Sequence, residues 1–144
     1  MTQYGPLETV YVENEWYDGP RAGIGDVNGV PHRYVSLFDE AEDQYPGTFL
    51  IWPVDRQVLD LEIEQWRIFV EWNALYESGV ADVDSHPAHG SRNARWDEIE
   101  VLLMPSRTNV PADARRAVAQ FSHIDREVRY APSGPSYMLS WSVS

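Results

Sequence analysis

Between Asp55 and Gly79 the chain carries apolar residues at helical spacing on two sides at once, and this demand on its surroundings limits the folds open to it. Val58, Leu61, Ile68, Trp72 and Leu75 make one stripe. Leu59, Ile63, Trp66 and Val70, spaced four, three and four, make the other. At about 100° per residue the stripes point to different sides, and the polar wedge left over (Asp60, Glu64, Arg67, Glu71) is narrow. Asp55 is placed to cap the N-terminus, Val54 and Leu59 to form a hydrophobic staple, and Gly79 to stop the helix after about six turns. One stripe can lie on a sheet; the other needs a second helix or another subunit. Asn93 caps a candidate second helix with Trp96, Ile99, Leu102 and Leu103 on one face, and Pro105 is expected to end it.

The flanking segments alternate as strands do. Residues 7–17 read as a first strand with Val10, Val12 and Trp16 on one face. Asp18 to Arg21 reads as a turn, Gly23 to Val27 as a short second strand, and His32 to Phe38 as its return. Asn28-Gly29 between them is a strong hairpin signal, because both central positions of a type I′ turn need φ > 0. An acidic loop, Asp39 to Asp43, leads past Pro46-Gly47 to a fourth strand, Thr48 to Trp52. After the helices, Arg115 to Ile124 is expected as a strand, with a helix over residues 112–121 as the alternative. Glu127 to Tyr130 is a further strand, Pro132 to Pro135 a turn, and Met138 to Val143 a half-buried strand with Leu139, Trp141 and Val143 on one face and serines on the other. The order ββββααββ predicts a single α+β domain over residues 1–144: an antiparallel sheet of about six strands with two helices packed on one face.

Charge narrows the partners. Against 23 acids stand 11 bases, all arginine, for a formal net charge of −12. That balance argues against nucleic acid and against anionic membrane surfaces, both of which need clustered Lys or Arg. A basic protein, a cation or a neutral small ligand stays open. The absence of cysteine excludes disulfides, thiolate zinc sites and cysteine nucleophiles. Apolar runs are far shorter than a membrane span, and the opening Met1 to Pro6 lacks the regions of a signal peptide, so a cytoplasmic location is expected.

The stretch Trp16-Tyr17-Asp18-Gly19-Pro20-Arg21, then Gly23-Ile24, Asn28-Gly29 and Pro31-His32, resembles the opening of a group of small uncharacterised bacterial proteins in which strands precede a tryptophan-containing helix. The resemblance covers roughly the first half of the chain and implies no activity.

Three constellations can carry chemistry. The inter-helix loop places Asp82, Asp84, His86 and His89 within eight residues, ligand types that zinc, manganese or nickel use, although a proline-containing loop fixes no geometry. An exposed loop turned by Pro87 and capped by Asp84 is the plainer reading. The hairpin brings together Asp18, Arg21, Asp26 and His32, where a His beside a carboxylate can act as a base and Arg21 can clamp an anion, or where the same residues simply build turns. Trp16, Tyr17 and Trp52, near strand ends, can line a ligand pocket, whereas Trp66, Trp72, Trp96 and Trp141 fall on buried stripes. No phosphate loop, nucleophile elbow, His-Glu-x-x-His or calcium loop is present. The reading is therefore a non-enzymatic bacterial cytoplasmic protein that binds a protein or small ligand through Trp16, Tyr17, Asp18, Arg21, His32 and Trp52, as an acidic adaptor or immunity-type protein does, with no cofactor. Self-association as a homodimer would cover the second helix stripe. The alternative is a small hydrolase assisted by a divalent metal at Asp82, Asp84, His86 and His89.

Overall fold

A computed structural model describes residues 3–44 and 46–143; Met1, Thr2 and the expected facing of the Val143 side chain lie outside the described residues. Four strands come first: β1 (Val10–Trp16), β2 (Pro20–Val27), β3 (Val30–Ser36) and β4 (Thr48–Pro53). Helices α1 (Arg56–Glu77) and α2 (Ala94–Thr108) follow, then β5 (Arg115–His123), β6 (Tyr130–Ala131), β7 (Gly134–Pro135) and β8 (Tyr137–Val143). The chain is α+β. Six strands form one antiparallel sheet in the order β1-β2-β3-β4-β5-β8, and β6-β7 is a separate small hairpin.

The sheet curls until its ends meet. Glu8, just before β1, exchanges backbone hydrogen bonds with Leu139 of β8 at 2.6 and 3.1 Å, and the Gly5 amide donates to the Trp141 carbonyl at 2.8 Å. Inside the curl lie Val10, Tyr34, Phe49, Ile51, Leu139 and Trp141. The Tyr34 ring stands edge-on to Phe49 and Trp141, with centroids 5.6 and 6.0 Å away, the arrangement that ring quadrupoles favour. Outside it, Leu59 and Trp66 of α1 pack on Val12 and Ile24, with Ile63 and Val70 beside them. The Leu59/Ile63/Trp66/Val70 stripe is thus met by the sheet.

Strand β1 serves both cores because it is bulged. Val10 pairs with Gly25 and Val12 with Ile24, so Tyr11 is an extra residue. Regular alternation would put Val10 and Val12 on one face, as expected from sequence. The bulge turns Val10 into the curl and Val12 toward α1. A second shift at Asn14 follows Glu13↔Gly23, before Glu15↔Ala22.

Local signals otherwise hold. Asn28 and Gly29 have φ of 53° and 78° and join β2 to β3 in a two-residue turn. The Asp55 carboxylate accepts from the Val58 amide at 2.8 Å, and Val80 and Gly79 amides close the helix end on Leu75 and Tyr76. Four expectations need correction. β2 begins at Pro20, so the turn is confined to residues 17–19, pinned by the Tyr17 amide on the Gly19 carbonyl. The expected Glu127–Tyr130 strand is only the Tyr130–Ala131 arm of the β6-β7 hairpin. Helix α2 runs through Pro105 to Thr108, because the ring removes one amide donor while the Pro105 carbonyl still accepts from Asn109 at 3.0 Å. Leu102 faces solvent, half exposed, while Ile99 and Leu103 are fully buried.

Helix α2 lies against α1, with Ile99 and Leu103 fully buried. Charged and amide groups join the two helices as well: Arg95 with Glu64 at 2.6 Å, Arg107 with Glu62 at 2.7 Å, and Gln65 with Glu100 at 2.8 Å. No helix among the described residues is long and apolar enough to cross a membrane.

Candidate functional site

Two cavities flank the C-terminal end of β1. One, of about 550 Å³, lies between the outer face of the sheet and the helix pair. The other, of about 610 Å³, opens at the mouth of the curl. Both are bordered by Glu13 and Trp16.

The cleft under the helices has a fixed polar floor. Arg33 of β3 and Glu62 of α1, with side chains 3% and 1% exposed, pair at 2.8 Å. Arg107 of α2 grips the same carboxylate with Nε at 3.1 Å and Nη2 at 2.7 Å, and also donates to Gln65 and Glu100. Asn14 donates to Glu62 at 3.1 Å, while Arg33 donates to Asn14 and Ser106. Burial pushes the Glu62 carboxyl up, but Arg107 and Arg33 outweigh it and hold the group below its usual range. Arg33 Nε is buried without a partner. Trp66, Phe69 and Trp96 are among the apolar residues of the lining.

The mouth cavity is built differently. The Tyr137 hydroxyl donates to Glu13 Oε1 at 2.7 Å. Burial raises the Glu13 carboxyl against the pull of Tyr137 and Arg129, and burial also raises the Tyr137 hydroxyl. The Arg129 guanidinium lies over two rings, 5.0 Å from the Trp16 centroid and 5.1 Å from that of Tyr130. Arg126 donates to the Gly134 carbonyl at 3.3 Å. Phe121 and Tyr137, with centroids 5.5 Å apart, complete the wall.

Of the six residues expected from sequence to bind a ligand, Trp16 borders both cavities, and the other five line neither. Arg21 donates to the carbonyls of Tyr17 and Asp18 at 2.6 Å each, so it braces the turn. Tyr17 is exposed, and Asp18 holds a left-handed turn position at φ 53°. His32 is buried with Nδ1 2.8 Å from the Val30 carbonyl, and Trp52 is buried in β4. Tyr11 donates to Asp26 at 3.1 Å; the Tyr11 hydroxyl, buried and bonded to that carboxylate, is pushed up to about 12.

In the inter-helix loop, Asp82 caps the first of two 3₁₀ turns (Val83–Ser85) by accepting from the Ser85 amide, and His86 Nδ1 caps the second (Pro87–His89) by accepting from the Ala88 amide at 3.0 Å. His86 and His89 lie 5.8 Å apart, and the His86 ring sits 4.5 Å from Trp72 and lines the cleft. Burial, with His89 beside it, lowers His86. Asp84 contributes its carbonyl to Arg92. Among the described residues no group of three or more His, Cys, Asp or Glu side chains is placed to hold a metal ion.

Sequence reasoning missed Glu13, Arg33, Glu62, Arg107 and Arg129. The one available signal was Glu62 and Gln65, three apart and flanked by apolar helix residues. Arg67, in the polar wedge of the helix, is exposed, whereas Arg33 is buried. No protein-family model, curated protein or solved structure matches this chain.

Proposed function

We propose that the chain is a non-enzymatic cytoplasmic binding protein that holds a small organic ligand at the paired cavities around the end of β1. The observation that carries this reading is the pair itself: two spaces of about 550 and 610 Å³, within the range of small-molecule pockets, sharing Glu13 and Trp16. The polar groups beneath the cleft are locked to one another, so a ligand meets a preorganised floor and loses little in ordering it. The motive for self-association read from sequence, an uncovered α1 stripe, is met within the chain. The hydrolase reading would require His86 to give up the Nδ1 lone pair that caps the second 3₁₀ turn, since a neutral imidazole that accepts at Nδ1 carries its proton on Nε2.

A fragment screen read by thermal shift and by tryptophan emission tests the proposal. Hits should raise the melting temperature, and Trp16→Ala should remove their effect while leaving the far-ultraviolet circular dichroism unchanged. A screen in which no fragment binds, or in which all hits bind Trp16→Ala equally well, overturns it.

A further inference from the structure

We propose that the mouth cavity takes a planar aromatic monocarboxylate, its ring against Trp16, Phe121 and Tyr137 and its carboxylate on Arg129 and Arg126. The inference rests on the ligand-binding reading above and names the class of ligand.

The two arginines are the basis for the anion. The Arg129 guanidinium carbon lies over Trp16 and Tyr130, 5.0 and 5.1 Å from their centroids. Its N–H donors make no hydrogen bond or ion pair among the described residues. A guanidinium with uncommitted donors can receive a carboxylate with two parallel hydrogen bonds. Arg126 borders the same space and holds only the Gly134 carbonyl. In a chain of net charge −12, this cavity has two arginines against one acid, Glu13. A single negative charge matches that local balance, whereas a phosphate dianion would exceed it and face the repulsion of the surrounding acids.

The rings are the basis for the aromatic part. Trp16, half exposed at the rim, stands 6.1 Å from Tyr137, which in turn stands edge-on to Phe121. A flat ring entering here replaces water along three aromatic surfaces. Glu13 Oε1 is held by Tyr137, and its second oxygen makes no hydrogen bond among the described residues, so a hydroxyl or amine on the ligand ring has an acceptor at the floor.

Calorimetric titration of the full chain with naphthoate and with the neutral isostere naphthamide tests the inference. Naphthoate should bind at least about 10-fold tighter, the effect of a charge-assisted hydrogen bond pair. Arg129→Gln should bring the ratio near one, Arg126→Gln should reduce it, and Arg116→Gln, on the exposed side of β5, should leave it unchanged. Arg129→Lys should fall between, since it keeps the charge and loses the planar fork. Equal binding of both probes to the parent protein, abolished in both by Trp16→Ala, overturns the carboxylate assignment and leaves the binding reading standing. Failure of both probes while screened fragments bind also overturns the ligand class alone. Failure of probes and fragments together overturns both.

Discussion

At the scale of the residue, Glu62 is the group on which most depends. Three elements converge on its carboxylate: Arg33 from β3, Arg107 from α2 and Asn14 from β1. Removing its charge leaves two arginines facing each other at the base of the cleft. Glu62→Gln should lower stability by about 3 kcal/mol in urea titrations at neutral pH, as breaking one partner of a buried pair does. Because its folded pKa lies below the ordinary 4.5, this stabilisation is present above that value and is lost as the pH falls through the folded pKa. The gap between the variant and the parent should therefore close in acid, and a gap independent of pH would contradict the role given to Glu62. Gly23 is the second such residue. A Cβ there would overlap the Val12 carbonyl and stand 2.6 Å from the Tyr34 hydroxyl. Gly23→Ala should cost about 3 kcal/mol or more by the same measurement, since neither backbone nor buried ring can give way cheaply.

At the scale of the element, caps and turns were legible in sequence because their cause is local. Asp55, Asn93 and Asn28-Gly29 each act within three residues, and each behaves as its chemistry requires. Asp55→Ala should cost about 1 kcal/mol, read from the shift in the urea midpoint. Beyond that range the signals fail for identifiable reasons. Nothing within residues 10–16 announces a bulge, because its cause is that one strand must supply Val10 to one core and Val12 to another. Pro105 looks like an end, but a helix held by Arg107 on Glu62 and Glu100 tolerates one missing amide. The candidate site was legible only at Trp16 and, as a loop histidine rather than a cleft residue, at His86, since the lining is gathered from distant segments such as Glu13 and Tyr137. Deleting Tyr11 tests the bulge. It restores regular alternation and turns one of the two valines away from its core, so a loss above about 4 kcal/mol is expected. A deletion variant of parent-like stability would show that the extra residue has no such role.

At the scale of the molecule, two cores share one sheet. Trp141 lies in the inner core and Trp66 in the outer one, and Arg33, rooted in β3, ties the sheet to both helices through Glu62 and Ser106. Heating should therefore give one transition, with tryptophan emission and far-ultraviolet circular dichroism superimposed; separated midpoints would mean that the helix layer melts by itself. The Glu8–Leu139 closure has a colloidal consequence. Near the sequence isoelectric point of about 4.5, the mutual repulsion of the acidic surface vanishes and the protein should come out of solution. Backbone groups that would template fibril growth are already occupied where β8 meets the chain leading into β1. The precipitate should accordingly be amorphous, bind no amyloid dye, and redissolve as native protein when the pH is restored.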